Sequence, residues 1–325
     1  MIRRRQFLHL ATGAVALPAL SRTGRAQTYP SRPITMIVPF AGGGGDDAVG
    51  RVVADRMRGP LGQPVIIENV GGADGSIGTG RVARARPDGY TIGFGSTRTH
   101  AINGALYSLS YDLVNDFAPI SPLVTGSSVL VTRKMMPAKD LNELIAWLKA
   151  NPDKASAGTT TAAYRVLYAL LQKKTGARFA LVPYRGGAPA VQDLVAGQID
   201  LLFVAPFQLP LVRAGSIKAY AVTSDTRLAV APDIPTFAEM GLPELSWSSW
   251  YGLFAPKGTP KDIVTKLNAA AVEAVADPVA RSRFADLALE IFPREQQTPE
   301  ALGALQKADA EKWWPIIKEA GIKAE

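Results

Sequence analysis

The chain has no cysteine and only two histidines in 325 residues. Without thiols no disulfide framework can staple the fold, whatever the redox state of its compartment. A zinc centre needs clustered His, Cys or carboxylate ligands. His9 sits near the N-terminus and His100 stands alone, so no metal and no cofactor are expected. Beyond the N-terminal segment no run reaches the roughly 18 apolar residues of a bilayer span. No Lys/Arg cluster or RNA-binding signature occurs either, so a nucleic-acid partner is not expected. A hydrolase is no better supplied. Asp74-Gly75-Ser76-Ile77-Gly78 lacks the first glycine of a nucleophile elbow, and nothing places a serine beside His100.

What is present begins with an export leader over residues 1–26. Arg3-Arg4-Arg5 gives a charged start, Phe7–Leu20 a short apolar stretch, and Gly24-Arg25-Ala26 a small-residue cut site. Arg4-Arg5-Gln6-Phe7-Leu8 reads as twin-arginine, which predicts a periplasmic protein exported after folding; an arginine-rich Sec signal is the alternative. Removing the leader leaves 299 residues, enough for two α/β domains, and takes five arginines with it. The net charge of +8 then falls to about +3, so the basic balance belongs mostly to the leader.

Two glycine-rich loops dominate the rest, Pro39–Asp47 and Gly71–Gly80. Each follows a β-branched run, Ile34–Val38 or Val65–Ile67, and each opens a helical pattern. A strand turning through glycine into a helix aims unpaired backbone N–H groups at one spot, where the helix dipole adds partial positive charge. Two such loops on successive units predict a site for an anionic group, most simply a carboxylate. Four consecutive glycines also carry an entropic cost that a mere tight turn does not require.

Strand and helix patterns alternate nearly to the end, predicting a mostly parallel sheet with helices on its faces. Helices are expected over 47–58 and 76–86, and strands over 90–94, 180–183, 199–204 and 217–223. Segments 116–124 and 247–255 read as crossings between two halves. In the tail, Thr259-Pro260, Asp277-Pro278 and Thr298-Pro299 each pair an N-cap residue with proline at the first helical position. Pro315 should kink or break the last helix. The expected division is 27–124 with 248–325 as one domain and 125–247 as the other, with a ligand cleft between them.

Ordered blocks then carry a resemblance. They are Tyr29-Pro30-Ser31-Arg32-Pro33-Ile34, Val38-Pro39-Phe40-Ala41-Gly42-Gly43-Gly44-Gly45-Asp46-Asp47, Leu61-Gly62-Gln63-Pro64-Val65, Glu68-Asn69 and Pro87-Asp88-Gly89-Tyr90-Thr91. Thr99-His100-Ala101-Ile102-Asn103, Asp116-Phe117-Ala118-Pro119, Val182-Pro183-Tyr184-Arg185-Gly186-Gly187-Ala188-Pro189-Ala190, Gly197-Gln198-Ile199-Asp200 and Trp250-Tyr251-Gly252-Leu253-Phe254-Ala255-Pro256 complete the set. From Tyr29 to about Gly321 the chain resembles the Bug/TctC periplasmic solute-binding proteins of tripartite tricarboxylate transport. The resemblance implies an α/β periplasmic-binding-protein fold of type II, the Venus flytrap. It implies a monomer that is not an enzyme and that captures a small organic acid for membrane transporter subunits, or alternatively for a sensor.

By position, the resemblance implies a first jaw of Phe40, Ala41, Gly43, Gly44 and Asp47, with Asp47 read as helix N-cap and loop brace. It implies a second jaw of Gly72, Ala73 and Gly75. Thr97, His100 and Asn103 would form a wall, faced from the other domain by Gly158, Thr159, Thr160, Thr161, Tyr164, Tyr184, Arg185, Gly186 and Val204. Departures from the family pattern point to the ligand. Gly42 replaces a usual proline, Val70-Gly71 an arginine-proline, Asp74 a glycine, Tyr164 a frequent histidine, and Val204-Ala205 an acid-amide pair. The wall becomes more apolar and aromatic, which favours an aromatic or hydrophobic carboxylate over an amino acid. Arg98, Arg165 and Arg185 are candidates for a second carboxylate. Trp247, Trp250 and Tyr251 read as packing of the crossing, and Trp313-Trp314 as anchors of the last helix on the first domain. The rival reading is a dinucleotide site, because Gly43-x-Gly45-x-x-Ala48 with Glu68 after the next strand outlines an exported NAD(P) oxidoreductase. Asp46-Asp47 opposes it by standing where pyrophosphate needs positive potential.

Overall fold

The computed structural model describes residues 28–184, 186–319 and 321–322. The leader and Arg185 therefore lie outside the described residues. The chain begins β1 (Ile34–Val38), α1 (Gly45–Leu61), β2 (Val65–Asn69), α2 (Ser76–Ala83) and β3 (Thr91–Ser96). A π-helical turn, Arg98–Ile102, leads into α3 (Asn103–Leu106) and then β4 (Phe117–Gly126). Next come β5 (Val129–Arg133), α4 (Leu141–Ala150), β6 (Ser156–Thr159), α5 (Ala162–Thr175), β7 (Ala180–Pro183) and α6 (Gly187–Ala196). They are followed by β8 (Leu201–Val204), α7 (Leu209–Arg213) and β9 (Ile217–Val222). The chain closes with β10 (Ser249–Pro256), α8 (Lys261–Ala276), α9 (Pro278–Asp286), β11 (Glu290–Ile291) and α10 (Pro299–Glu319).

These elements form two sheets, ordered β11-β4-β10-β3-β1-β2 and β7-β6-β8-β5-β9. The first uses chain on both sides of the second. The β-branched run of β1 sits inside its sheet, with Ile34, Met36, Ile37 and Val38 fully buried, because a strand covered on both faces needs apolar residues throughout, whereas the run of β2 lies at the sheet edge. The sheets are more mixed than the sequence pattern predicts. β1 pairs in parallel with β2 and β3, and β6 with β7 and β8. β10 is antiparallel to β3 and β4, and β5 to β8 and β9. The crossings are thus full sheet members, since their unpaired backbone groups are satisfied only by joining a ladder. At their ends Ser249 and Gly126 are paired neighbours.

α1 begins two residues earlier than expected and runs through Pro60 to a left-handed Gly62, whose N–H closes on the Arg58 and Gly59 carbonyls. In the tail, Asp277 caps α9 as predicted, accepting from the Val279 and Ala280 amides, and Thr298 accepts from Ala301. Thr259 does not cap α8; its hydroxyl donates to the Pro256 carbonyl and Pro260 takes the cap position. α10 continues past Pro315, held on both sides of the proline by packing. Trp314 Nε1 donates to Ala101 in the first half, as an anchor should. Trp313 and Ile317 instead share a core cluster with Leu144, Leu167 and Phe203 around the second sheet. Among the described residues no helix is long and apolar enough to cross a membrane.

Candidate functional site

The two glycine loops abut where β1 and β2 end side by side. A methyl built on Gly71 would lie 3.5 Å from the Ala41 nitrogen, and one on Gly75 only 3.0 Å from the Phe40 ring. Asn69, the last residue of β2, donates Nδ2 to the Phe40 carbonyl at 3.1 Å and to Asp47 Oδ1 at 2.9 Å. Asp47 Oδ2 accepts from the Gly43 amide at 2.8 Å and from Arg51 Nε at 2.8 Å. Asp47 is therefore the loop brace the sequence suggests, but not the N-cap. That position belongs to Gly44, and Asp47 sits inside the first turn. The amide of Gly43 is spent on Asp47. Among the described residues the amides of Ala41, Gly42, Gly44, Gly71, Gly72 and Ala73 donate to no protein group.

One side chain touches both loops. Arg98 Nη2 donates to Asp46 Oδ1 and Oδ2 at 3.2 and 3.0 Å, and its Nη1 lies 3.6 Å from Asp74 Oδ1. The guanidinium also covers the Phe40 ring at 4.1 Å. The three charged side chains are only 14–22 % exposed, so the cluster is poorly screened. Arg98 is thus occupied by two aspartates and not free for a second carboxylate.

The predicted wall after β3 lies beneath the surface. Thr97 Oγ1 accepts from the Trp250 amide, and Asn103 Nδ2 holds the Asp74 carbonyl at 2.9 Å and Ser76 Oγ at 3.1 Å. His100 is 2 % exposed, bonded through Nδ1 to Thr99 Oγ1 and stacked 3.9 Å from the Phe254 ring. Burial pulls its pKa down to about 3, so it is neutral and structural. His100 lies within the π-helical turn and Thr97 and Asn103 flank it, an arrangement with no sequence signal.

Opposite the second loop, Thr159, Thr160, Thr161 and Tyr184 share with Asp74 and Arg165 a cavity of about 190 Å³. Thr161 caps α5, its hydroxyl accepting from the Tyr164 amide. The Tyr184 hydroxyl donates to Asp193 and is pushed up to about 12, chiefly by desolvation. A second cavity of about 140 Å³ runs toward the crossings, lined by Arg98, Thr161, Tyr164, Trp247 and Tyr251 among others. Tyr164 reaches Ser128 Oγ at 3.0 Å and stacks on Phe203. Trp247 and Tyr251, read from sequence as packing only, line this cavity. Gly158 and Val204 do not reach either cavity. Gly158 is pressed against Ile199 and Leu202, and Val204 faces the core while its neighbour Ala205 takes the wall. Gly186 starts α6 in the left-handed half of backbone space at φ 127°. The first-loop residues line neither cavity and stay on the exposed shoulder beside them.

Comparison with known proteins decides the family. The model of the tripartite tricarboxylate transporter family receptor matches residues 49–322. The chain belongs to this family. Among solved structures it resembles the periplasmic binding protein BugD at 37 % identity, covering 91 % of this chain and all of that one, with a TM-score of 0.78. MatC from Rhodopseudomonas palustris with bound malate is 36 % identical over 89 % of this chain and all of MatC, with a TM-score of 0.77. An R. palustris protein with adipate is 30 % identical over 91 % of this chain and 99 % of its own, with a TM-score of 0.79. The fold is accordingly the α/β fold of periplasmic binding proteins. The family is one of periplasmic solute-binding proteins and not of enzymes, which removes the oxidoreductase reading. Glu68, which that reading assigned to a ribose, is held by Arg81 instead.

Acid should remove stability in two windows. The Arg51 hydrogen bond, with help from the Gly43 amide, lowers Asp47 from 3.8 to about 2. A depressed carboxyl stabilises the fold above its unfolded pKa, and that contribution disappears as pH falls from about 4 to 2. For this buried group it amounts to about 2 kcal/mol. His100 adds an earlier loss from about pH 6.5 to 3, because the unfolded chain takes up a proton that the folded one refuses. Urea titrations across pH should show Asp47→Asn less stable than the parent at pH 6 and equal to it near pH 2. A constant gap at all pH values would contradict this.

Proposed function

We propose that this chain captures a small organic carboxylate in the periplasm, between its two sheets, and delivers it to a tripartite tricarboxylate-type transporter. The carrying observation is the set of unpaired backbone amides on two abutting glycine loops, one of them at the N-terminus of a 17-residue helix. Such amides bind a carboxylate through geometry and leave the rest of the ligand to be read elsewhere. The malate and adipate held by relatives are of this class.

In this reading the halves close like a Venus flytrap. One half is 27–124 with 248–325 and the other is 125–247; the links between them are residues 126–128 and 246–248. The leader takes the chain out by the twin-arginine route. Tyr164, Trp247 and Tyr251 around the 140 Å³ cavity favour an aromatic or hydrophobic body on the ligand.

Native mass spectrometry of gently purified protein should find a bound organic acid. Gly44→Val is the matching variant. Gly44 has φ −83°, and a methyl there meets only the Ala41 oxygen at 3.7 Å, so the fold tolerates it. The added bulk stands among the unpaired amides and should weaken binding of that acid at least tenfold with an unchanged melting temperature. A non-acidic ligand, or undiminished affinity, would overturn the reading.

A further inference from the structure

Asp74 is the least satisfied charged group of the site. It stands in the second glycine loop at φ 48° and ψ 40°, between Ala73 at φ 46° and Gly75 at φ 88°. Residues other than glycine rarely enter this left-handed region, and two in succession need something to hold them there. Asn103 supplies the hold through the Asp74 carbonyl. The backbone is thus committed to presenting this carboxylate to the 190 Å³ cavity between the sheets.

Arg98 is shared between Asp74 and a second carboxylate. Oδ1 lies 3.6 Å from Arg98 Nη1, but that guanidinium already donates to both oxygens of Asp46. Oδ2 is buried and has no hydrogen-bond partner among the described residues. Desolvation raises the Asp74 carboxyl above its ordinary range; Asp46 adds to that, and Arg98 and Arg165 oppose it. Across the cavity several hydroxyls have partners of their own. The Thr161 hydroxyl accepts from the Tyr164 amide, the Thr159 hydroxyl donates to the Val182 carbonyl and the Tyr184 hydroxyl to Asp193. Thr160 and Arg165 also line the cavity, but among its described polar atoms Asp74 Oδ2 is the buried one without a partner, and it is an acceptor bearing negative charge. A buried acceptor without a donor is destabilising, and a second anion beside it more so.

We propose that Asp74 is the specificity-determining residue of this cleft, selecting carboxylates whose other end carries a hydrogen-bond donor and turning away a second carboxylate. The inference rests on the carboxylate reading above and narrows its ligand class to hydroxy-, amino- or amide-bearing acids. The site is charge-selective as well as shape-selective, because repulsion discriminates as effectively as attraction.

The test is calorimetric titration of the mature protein, freed of bound ligand, with two length-matched pairs. These are 6-hydroxyhexanoate against adipate and 4-hydroxybenzoate against terephthalate. The parent should favour the hydroxy acid of at least one pair by tenfold or more. Asp74→Gly suits the left-handed backbone and removes the carboxylate, so it should lose that preference and gain the dicarboxylate. Asp74→Asn keeps an acceptor without the charge and should admit both members. Dicarboxylate binding that appears only in Asp74→Gly also supports the proposal. Equal ratios in parent and Asp74→Gly, or a parent that prefers the dicarboxylate, overturn it while leaving carboxylate capture standing. Failure of all four acids in all three proteins at millimolar concentration would overturn the carboxylate reading itself and this proposal with it.

Discussion

Arg98→Met should destabilise the protein by about 3 kcal/mol and lower its melting temperature by roughly 6–12 °C. The substitution keeps most of the side-chain volume but removes the cation between Asp46 and Asp74, each mostly buried. Breaking one partner out of such a cluster leaves carboxylates that neither water nor protein neutralises. The effect belongs at the lower end for buried pairs because about a fifth of the cluster remains exposed. Ligand affinity should fall with stability, since the same guanidinium holds the first loop, the second loop and the Phe40 ring together. Adding Asp46→Asn and Asp74→Asn to Arg98→Met should recover most of the lost melting temperature, because the stranded charges are then gone. Calorimetric scans of the single and triple variants decide the matter. A single variant melting within about 2 °C of the parent would show that the cluster holds nothing together.

Gly78→Ala should be comparably damaging, costing roughly 3 kcal/mol, despite adding one methyl in the middle of a helix. That methyl would lie 2.5 Å from the Val70 carbonyl oxygen and 2.9 Å from the Pro39 Cα. Both are backbone atoms, and they begin the second and first glycine loops, so α2 must move off the pair and take both loops out of position. Gly303→Ala is the control. It lies in α10, where the added carbon meets only the Pro119 Cγ at an ordinary 3.4 Å, and should stabilise by about 0.5–1 kcal/mol through helix propensity. Equal melting temperatures for the two variants would refute the close-approach argument.

Much of this architecture was legible in the chain. β-branched runs located β1 and β2, the glycine clusters located the loops, and Asp47 was readable as a brace because it comes just after four glycines at the start of a helix. The Arg98 tether was not legible. It joins residues 52 positions apart, and an arginine after a strand looks the same in sequence whether solvated or paired. Thr97, His100 and Asn103 were placed on the wall by position, but in and beside the π-helical turn all three are buried. Val204 and Ala205 exchanged roles because the side-chain period of a strand is two, and its register against the core is set by pairing with β5. The antiparallel pairs of the first sheet come from the crossings and those of the second from β5, segments whose sequence marks them as extended without saying which strand they join.

The pairing of Ser249 with Gly126 has a mechanical implication. Both covalent links to the second sheet leave the first as adjacent strands, like two leaves stitched at one seam. A seam of that kind permits folding about a single line and resists shear and torsion. If the halves move, the path is then essentially one angle, and whatever sets that angle sets how long a guest stays inside.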